Sequence, residues 1–377
     1  MQSKMSRFCA LNLKAGEYVE VRSQEEILST LDEFGRLDNL PFMPEMIQYC
    51  GKKFRVFKRA DKTCDNIIGW SIRRMKDSVH LEGVRCDGDA HGGCEAGCLI
   101  FWKEAWLKRA EGDEPLAGSS PPAGAVSAGQ PGGCTEARIL SASQTISPEG
   151  ETLYSCQATE LRNYTSHMRV WDLRQYVRDV RSGNLAENLG IHRRAHRAFE
   201  VALALVRVFR AMLITFFNQV QDSRHGHRYP SVAGELDKTP TVTLDLQAGE
   251  VVQVLSRKEI LATLDRQGCN RGLAFGAEML AYCGGIYRVL RQVHRIVDEK
   301  TGKMLHMKYP CIILDGVACR ADYHRLCPKA IFHYWREAWL KRVEAVPVLH
   351  TSEQTHETRE DQAGDTEDEP LRRLQND

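Results

Sequence analysis

Three things are scarce in this chain: net charge, unbroken apolar stretches and familiar catalytic signatures. Lys and Arg total 51 against 50 Asp and Glu, a formal charge of +1, so no global field recruits nucleic acid or acidic partners. There is no Walker loop, dinucleotide fingerprint, nucleophile elbow or pair of zinc-protease histidines, which removes the common routes to an enzyme. Residues 1–13 hold no apolar stretch suited to secretion. The most apolar segment, 199–220, is broken by Glu200, Arg207 and Arg210, and a charge at the centre of a span costs about 2.5–3.5 kcal/mol. This predicts a buried or surface-lying helix, able to touch a membrane peripherally, and no transmembrane span. Between Glu160 and Asp222 Lys is absent while Arg occurs ten times against six acidic residues. Arg is the residue for planar, two-pronged contacts with carboxylate or phosphate.

What is present is a second copy of the chain within itself. Leu11 to Arg109 lies over Leu244 to Arg342 at a constant offset of 233 residues, with 40 identities in 99 paired positions. Both copies keep Leu-x-Leu-x-Ala-Gly-Glu at the start, Tyr-Cys-Gly in the middle, Cys-x4-His-x2-Cys near the end, and a closing Trp-x-Glu-Ala-Trp-Leu-Lys-Arg. The organisation that follows is a first β-rich repeat over 11–110, a Pro/Gly/Ser-rich flexible linker over 111–133, a central Arg-rich and mainly helical region over 134–228, a second β-rich repeat over 242–344, and a tail over 349–377. The tail holds nine acidic and three basic residues and is expected to be disordered.

Within each repeat, Tyr18–Val21 and Val251–Val254 alternate as strands do. Ser23 with Glu26, and Ser256 with Glu259, form capping boxes that predict a short helix after that strand, with Gly35 and Gly268 as its expected ends. Further strands are predicted over 54–59, 79–84, 287–293 and 312–317, and the Asp298–Lys303 segment predicts a hairpin turn around Gly302. In the centre, helices are predicted over 172–181 and 185–222. The fold class is α+β: two homologous small β-barrels of the SH3-like kind, each with one short helix, joined by a helical central region.

The chemistry concentrates in cysteine and histidine. Thirteen cysteines, an odd number, favour a cytoplasmic, reducing setting in which clustered Cys and His are metal ligands before they are disulfides. The first copy offers Cys86, His91, Cys94 and Cys98 within thirteen residues, a set suited to tetrahedral zinc. Gly88, Gly92, Gly93 and Gly97 give the loop the freedom to wrap one ion. The second copy offers Cys319, His324 and Cys327, with Ile331 in place of the fourth cysteine; Cys311, or Cys283 with its counterpart Cys50 in the first copy, are candidates to supply the missing thiolate. Cys86-Asp87-Gly88 with His91 resembles a Cys-Asp-Gly-x-His iron–sulfur motif. However, the His is one residue too far, the upstream Cys-x-Cys pair is missing and the second copy lacks Asp-Gly, so zinc is favoured over an iron–sulfur cluster. A four-ligand site is closed, as structural zinc is, whereas a three-ligand second site would stay open for catalysis. Asp322, with its counterpart Asp89, is the expected acceptor for the second-copy histidine.

Two other shared features have a simple and a functional reading. Trp102 and Trp106, spaced as one helical face, either seal the core or form a partner-binding patch with the following Lys108 and Arg109. The strand from Lys52 to Lys62 interleaves basic residues with Phe54 and Phe57, compatible with a solvated face or with nucleic-acid contact. The combined pattern of the two copies around an Arg-rich centre resembles a bacterial family of Cys/His repeat proteins for which no activity is established, so the resemblance implies none here. The sequence is therefore expected to encode a non-catalytic zinc-binding scaffold or adaptor whose tandem domains engage another protein. The alternatives are a nucleic-acid-binding protein using the Lys52–Lys62 strand and central Arg residues, and a metalloenzyme or redox protein using the second Cys/His site.

Overall fold

The computed structural model describes residues 10–68, 71–110, 134–185 and 194–343, the side chains of 194–200 excepted. The predicted linker and acidic tail lie outside them. The described chain is mixed α+β, built on two curled antiparallel sheets, each half a barrel. In the first, the strand order is Leu99–Lys103, Ser78–Arg85, Lys53–Arg59, Tyr18–Val21, Leu107–Arg109. In the second it is Met304–Leu314, Ile286–Val297, Val251–Val254, Leu340–Arg342.

The duplication extends to the register. Val19 pairs with Phe54 and Arg109, and Val252 pairs with Tyr287 and Arg342. The outer strand of the first sheet pairs Val79 with Trp102 and Arg85 with Leu99; the second keeps these pairings as isolated bridges, Ile312 with Trp335 and Ala318 with Phe332. The opening and closing motifs are kept because they hold each other. Glu104 accepts the N–H groups of Asn12 and Leu13, as Glu337 accepts those of Leu244 and Leu246. Arg109 pairs with Glu17 and Arg342 with Glu250.

The capping boxes form as expected, opening short helices at Gln24–Leu28 and Arg257–Leu261. The helices stop well before Gly35 and Gly268. Those glycines sit instead at positive φ, 73° and 76°, in a tight turn whose N–H returns to Asp32 or Asp265. The Trp pair is not helical either. Trp102 lies in a strand and Trp106 in a single 3-10 turn, Glu104–Trp106. Both are fully buried, as are Trp335 and Trp339. Trp106 Nε1 donates to Thr30 at 3.1 Å and Trp339 Nε1 to Thr263 at 3.0 Å, with Phe42 and Phe275 edge-on to the rings.

The two repeats dock on each other through equivalent contacts in both directions. The N–H of Val297 donates to Cys94 Sγ at 3.3 Å, and the N–H of Cys64 donates to Cys327 Sγ at 3.1 Å. Cys94 matches Cys327, and Cys64 matches Val297, at the 233-residue offset. Lys62 Nζ reaches the Arg325 carbonyl at 2.5 Å, and its counterpart Arg295 donates through Nε to the Gly93 carbonyl at 3.0 Å, one residue along from the position equivalent to Arg325. This is the self-complementary geometry of a two-fold dimer interface, here within one chain.

The central region attaches to both halves. Cys134, Ile139 and Leu161 enter the first core. Arg162 pairs with Asp65, and Arg207 with Asp322, so part of the Arg excess is neutralised internally. Helices Arg174–Arg181 and Arg194–Ser223 pack together through Tyr176, Ala204 and Ala211 on Leu326. The long helix lies on the surface with Val206, Phe209 and Phe216 exposed.

Candidate metal centre

Each half-barrel carries one loop between its penultimate and last long segments, and that loop is where the Cys and His fall. In the first copy Gly88, Gly92, Gly93 and Gly97 all have positive φ, between 61° and 82°. The wrap is tight: a Cβ on Gly88 would meet the Cys94 carbonyl oxygen at 2.0 Å. The second copy has lost these glycines but not the conformation. Ala321, Arg325, Leu326 and Ala330 occupy the same four positions at φ 57°, 51°, 59° and 41°. Left-handed backbone at residues with a Cβ is strained, and strain of this kind persists where something holds it.

Each loop brings its Cys and His to a glutamate from the preceding 3-10 segment. Glu45, Cys86 and His91 have ligand atoms all within 4.8 Å of one another, and so do Glu278, Cys319 and His324. The two groups are the same three positions of the repeat. Sequence reasoning missed the glutamates. Their signal was available, since Glu45-Met46 and Glu278-Met279 are identical at the offset, but a carboxylate 41 residues before the cysteine does not stand out against a dense Cys/His cluster.

Of the residues expected as ligands, Cys86, His91, Cys319 and His324 meet in these groups. Cys94 and Cys327 lie outside them and spend their sulfurs on the docking contacts described above. Cys98 is half-buried beside the first group, its carbonyl accepting the Cys86 N–H at 2.9 Å. Cys311 is elsewhere. It packs with Val293 and Ile313 in a separate apolar cluster, where Arg336 donates to it. Cys50 and Cys283 pack against the two cores away from both groups. The carboxylate facing His324 is Glu278, at 3.2 Å from Nδ1; Asp322 is turned to Arg207 instead.

The first group is built on a close histidine–carboxylate contact. Ser155 offers its carbonyl to His91 Nε2 at 3.2 Å, and a carbonyl only accepts, so Nε2 carries the hydrogen. In the neutral ring Nδ1 is then a bare lone pair, and it faces Glu45 Oε1 at 2.5 Å. Two acceptors at that separation need a proton between them; on one tetrahedral zinc, with each atom about 2.0 Å from the ion, they would stand about 3.3 Å apart, so metal binding requires the pair to open. The other oxygen, Glu45 Oε2, is buried with no hydrogen-bond partner among the described residues. In the second group burial opposes the Glu278 charge, but His324 and the N–H groups of Tyr323 and Asp322 outweigh it and hold the carboxyl below its usual range.

Burial pushes the Cys86 and Cys319 thiols far up, with the neighbouring Glu45 and Glu278 adding to the effect. Neither is an activated nucleophile, which would need a depressed value. A metal ion would deprotonate them. Both groups open on one chamber of about 610 Å³, within the size range of small-molecule sites. Its walls are mainly apolar, with Cys98 and His333 among the polar exceptions.

Part of the basic strand proposed for nucleic acid is committed within the molecule, while Lys52 is exposed. Lys62 is buried against Asp179 at 2.6 Å, and Arg59 pairs with Asp61 and Glu104.

No family model, no curated protein and no solved structure matches this chain.

Proposed function

We propose that this chain is a zinc-binding scaffold in which each repeat holds one ion through Glu45, Cys86 and His91, or Glu278, Cys319 and His324, and in which each curled sheet is the core of a small SH3-like barrel. One observation carries the reading: the same three ligand types converge at the same three positions of two copies that share well under half their residues. Thiolate, imidazole and carboxylate together suit zinc, which accepts sulfur, nitrogen and oxygen donors in one tetrahedral shell. Ser155 on His91 Nε2 supplies the outer contact that orients a metal-bound imidazole. The ions would fix loops whose backbone is strained in the second copy, and those loops make the contacts that dock one repeat on the other. A protein partner fits the scaffold role, since the long central helix offers an exposed apolar side. A second reading, a metalloenzyme, is favoured by the chamber: three protein ligands leave one position open toward it.

The test is metal content of the full chain after exhaustive dialysis, beside Cys86→Ser and Cys319→Ser. The scaffold reading expects two zinc ions in the parent and one in each variant. A parent without stoichiometric zinc, or variants that keep both ions, overturns it.

A further inference from the structure

The second centre has three ligands within reach and a sequence that dropped the fourth cysteine of the first. The segment following the loop shows what replaced it. Residues 98 and 100 of the first copy correspond to 331 and 333 of the second. The first copy reads Cys98 and Ile100; the second reads Ile331 and His333. The first segment runs into the strand Leu99–Lys103, and the second meets the sheet through single bridges at Phe332 and Trp335, in the same register. Cys86 N–H donates to the Cys98 carbonyl and Cys319 N–H to the Ile331 carbonyl, with Trp102 and Trp335 paired equivalently further on. In extended chain, residues two apart point to the same side. The swap therefore moves one metal-competent side chain by one step along the same face, and leaves each copy with one.

His333 is placed to act. It lines the chamber with Cys319 and His324, close enough to Glu278 and His324 for both to act on it electrostatically. Its Nε2 is buried and has no hydrogen-bond partner among the described residues, a costly condition for an imidazole nitrogen. Tyr282 stacks edge-on against the ring at 5.8 Å, and its hydroxyl donates to the carbonyl of Ala318, next to Cys319. One tyrosine thus braces both the cysteine and the histidine. The ring stands outside the 4.8 Å group, so coordination requires it to turn toward the other three.

We propose that His333 is the fourth ligand of the second centre, the counterpart of Cys98 in the first, giving a closed Glu278, Cys319, His324, His333 set for a zinc-class ion. The inference rests on the two-centre reading above and adds that the second ion is structural, with no position open to the chamber.

The test uses the full chain loaded with Co²⁺, whose d–d spectrum reports coordination number, and Zn²⁺ competition against a chromogenic chelator. His333→Ala should weaken one of two ions by more than about 100-fold, the upper range for losing an outer-sphere partner, and shift its cobalt spectrum from four- toward five-coordinate. His333→Cys should keep both ions and add thiolate-to-cobalt charge-transfer absorption; a folding defect alone would not produce that band. If Cys319→Ser loses one ion while His333→Ala keeps two with unchanged affinity and spectrum, the inference is overturned and the two-centre reading stands. A parent that takes up no cobalt overturns both.

Discussion

Removing Glu45 separates a ligand from an ordinary buried acid. In the metal-free chain Glu45→Ala strips His91 Nδ1 of its partner at 2.5 Å and the Ala90 N–H of its partner at 3.2 Å, in a place where the Glu45 side chain is only 2% exposed. Each stranded polar group costs about 1–3 kcal/mol where it is buried. Two of them make a loss of about 2–6 kcal/mol, a large part of the about 5–15 kcal/mol that stabilises a typical domain. Zinc should add a second, separable loss. At a free concentration 100 times the dissociation constant, an ion that binds only the folded state adds about 2.7 kcal/mol. The variant, lacking a ligand, should forfeit most of that gain. Urea unfolding with a chelator and with buffered zinc measures both quantities on the same protein. Equal zinc stabilisation in parent and variant would refute the ligand role, and a chelator-state loss below about 0.5 kcal/mol would refute the burial argument beneath it.

Two further outcomes follow from individual side chains. Burial pushes Asp179 up to about 6, and Lys62 offsets this only in part. The folded chain then holds that proton more tightly than the unfolded chain does between about pH 4 and 6. The stabilising contribution of this group is therefore complete below pH 4 and is lost as pH rises through 6. Asp179→Asn should flatten the stability profile across that window, and an unaltered slope would contradict the assignment. Ala330, at φ 41°, holds by force the conformation that Gly97 adopts freely. Ala330→Gly should raise the unfolding free energy by about 1 kcal/mol, whereas a loss would show that the loop is not strained there.

Much of the fold was legible because its signals are local. The capping boxes at Ser23 and Ser256, the alternating strands and the hairpin turn at Asp298–Lys303 are decided by neighbouring residues, and they form where the sequence puts them. Gly35 was misread because a glycine shortly after a helix suits a C-cap and a tight turn equally; which one it serves depends on the following Arg36–Leu37 and Leu40–Pro41 hairpin. The Trp102 and Trp106 spacing fits a helix, but Trp102 belongs to the outer strand and tertiary pairing overrides the period. At the candidate site, the Cys and His of each loop were visible and two of the roles were not. Glu45 and Glu278 arrive from far along the chain. Cys94 and Cys327, which spacing alone assigns to their own loop's ion, each accept a hydrogen bond from the opposite repeat. A residue kept in both copies can therefore serve docking as well as chemistry.

The most direct measurement is zinc K-edge X-ray absorption on the loaded full chain, which counts sulfur neighbours per ion. Two centres built on Glu45, Cys86, His91 and Glu278, Cys319, His324, with Cys98 and His333 completing them, predict one or two sulfurs per zinc at about 2.3 Å and the rest nitrogen or oxygen at about 2.0–2.2 Å. A shell of three or four sulfurs would return Cys94 and Cys327 to the ligand set and contradict the account.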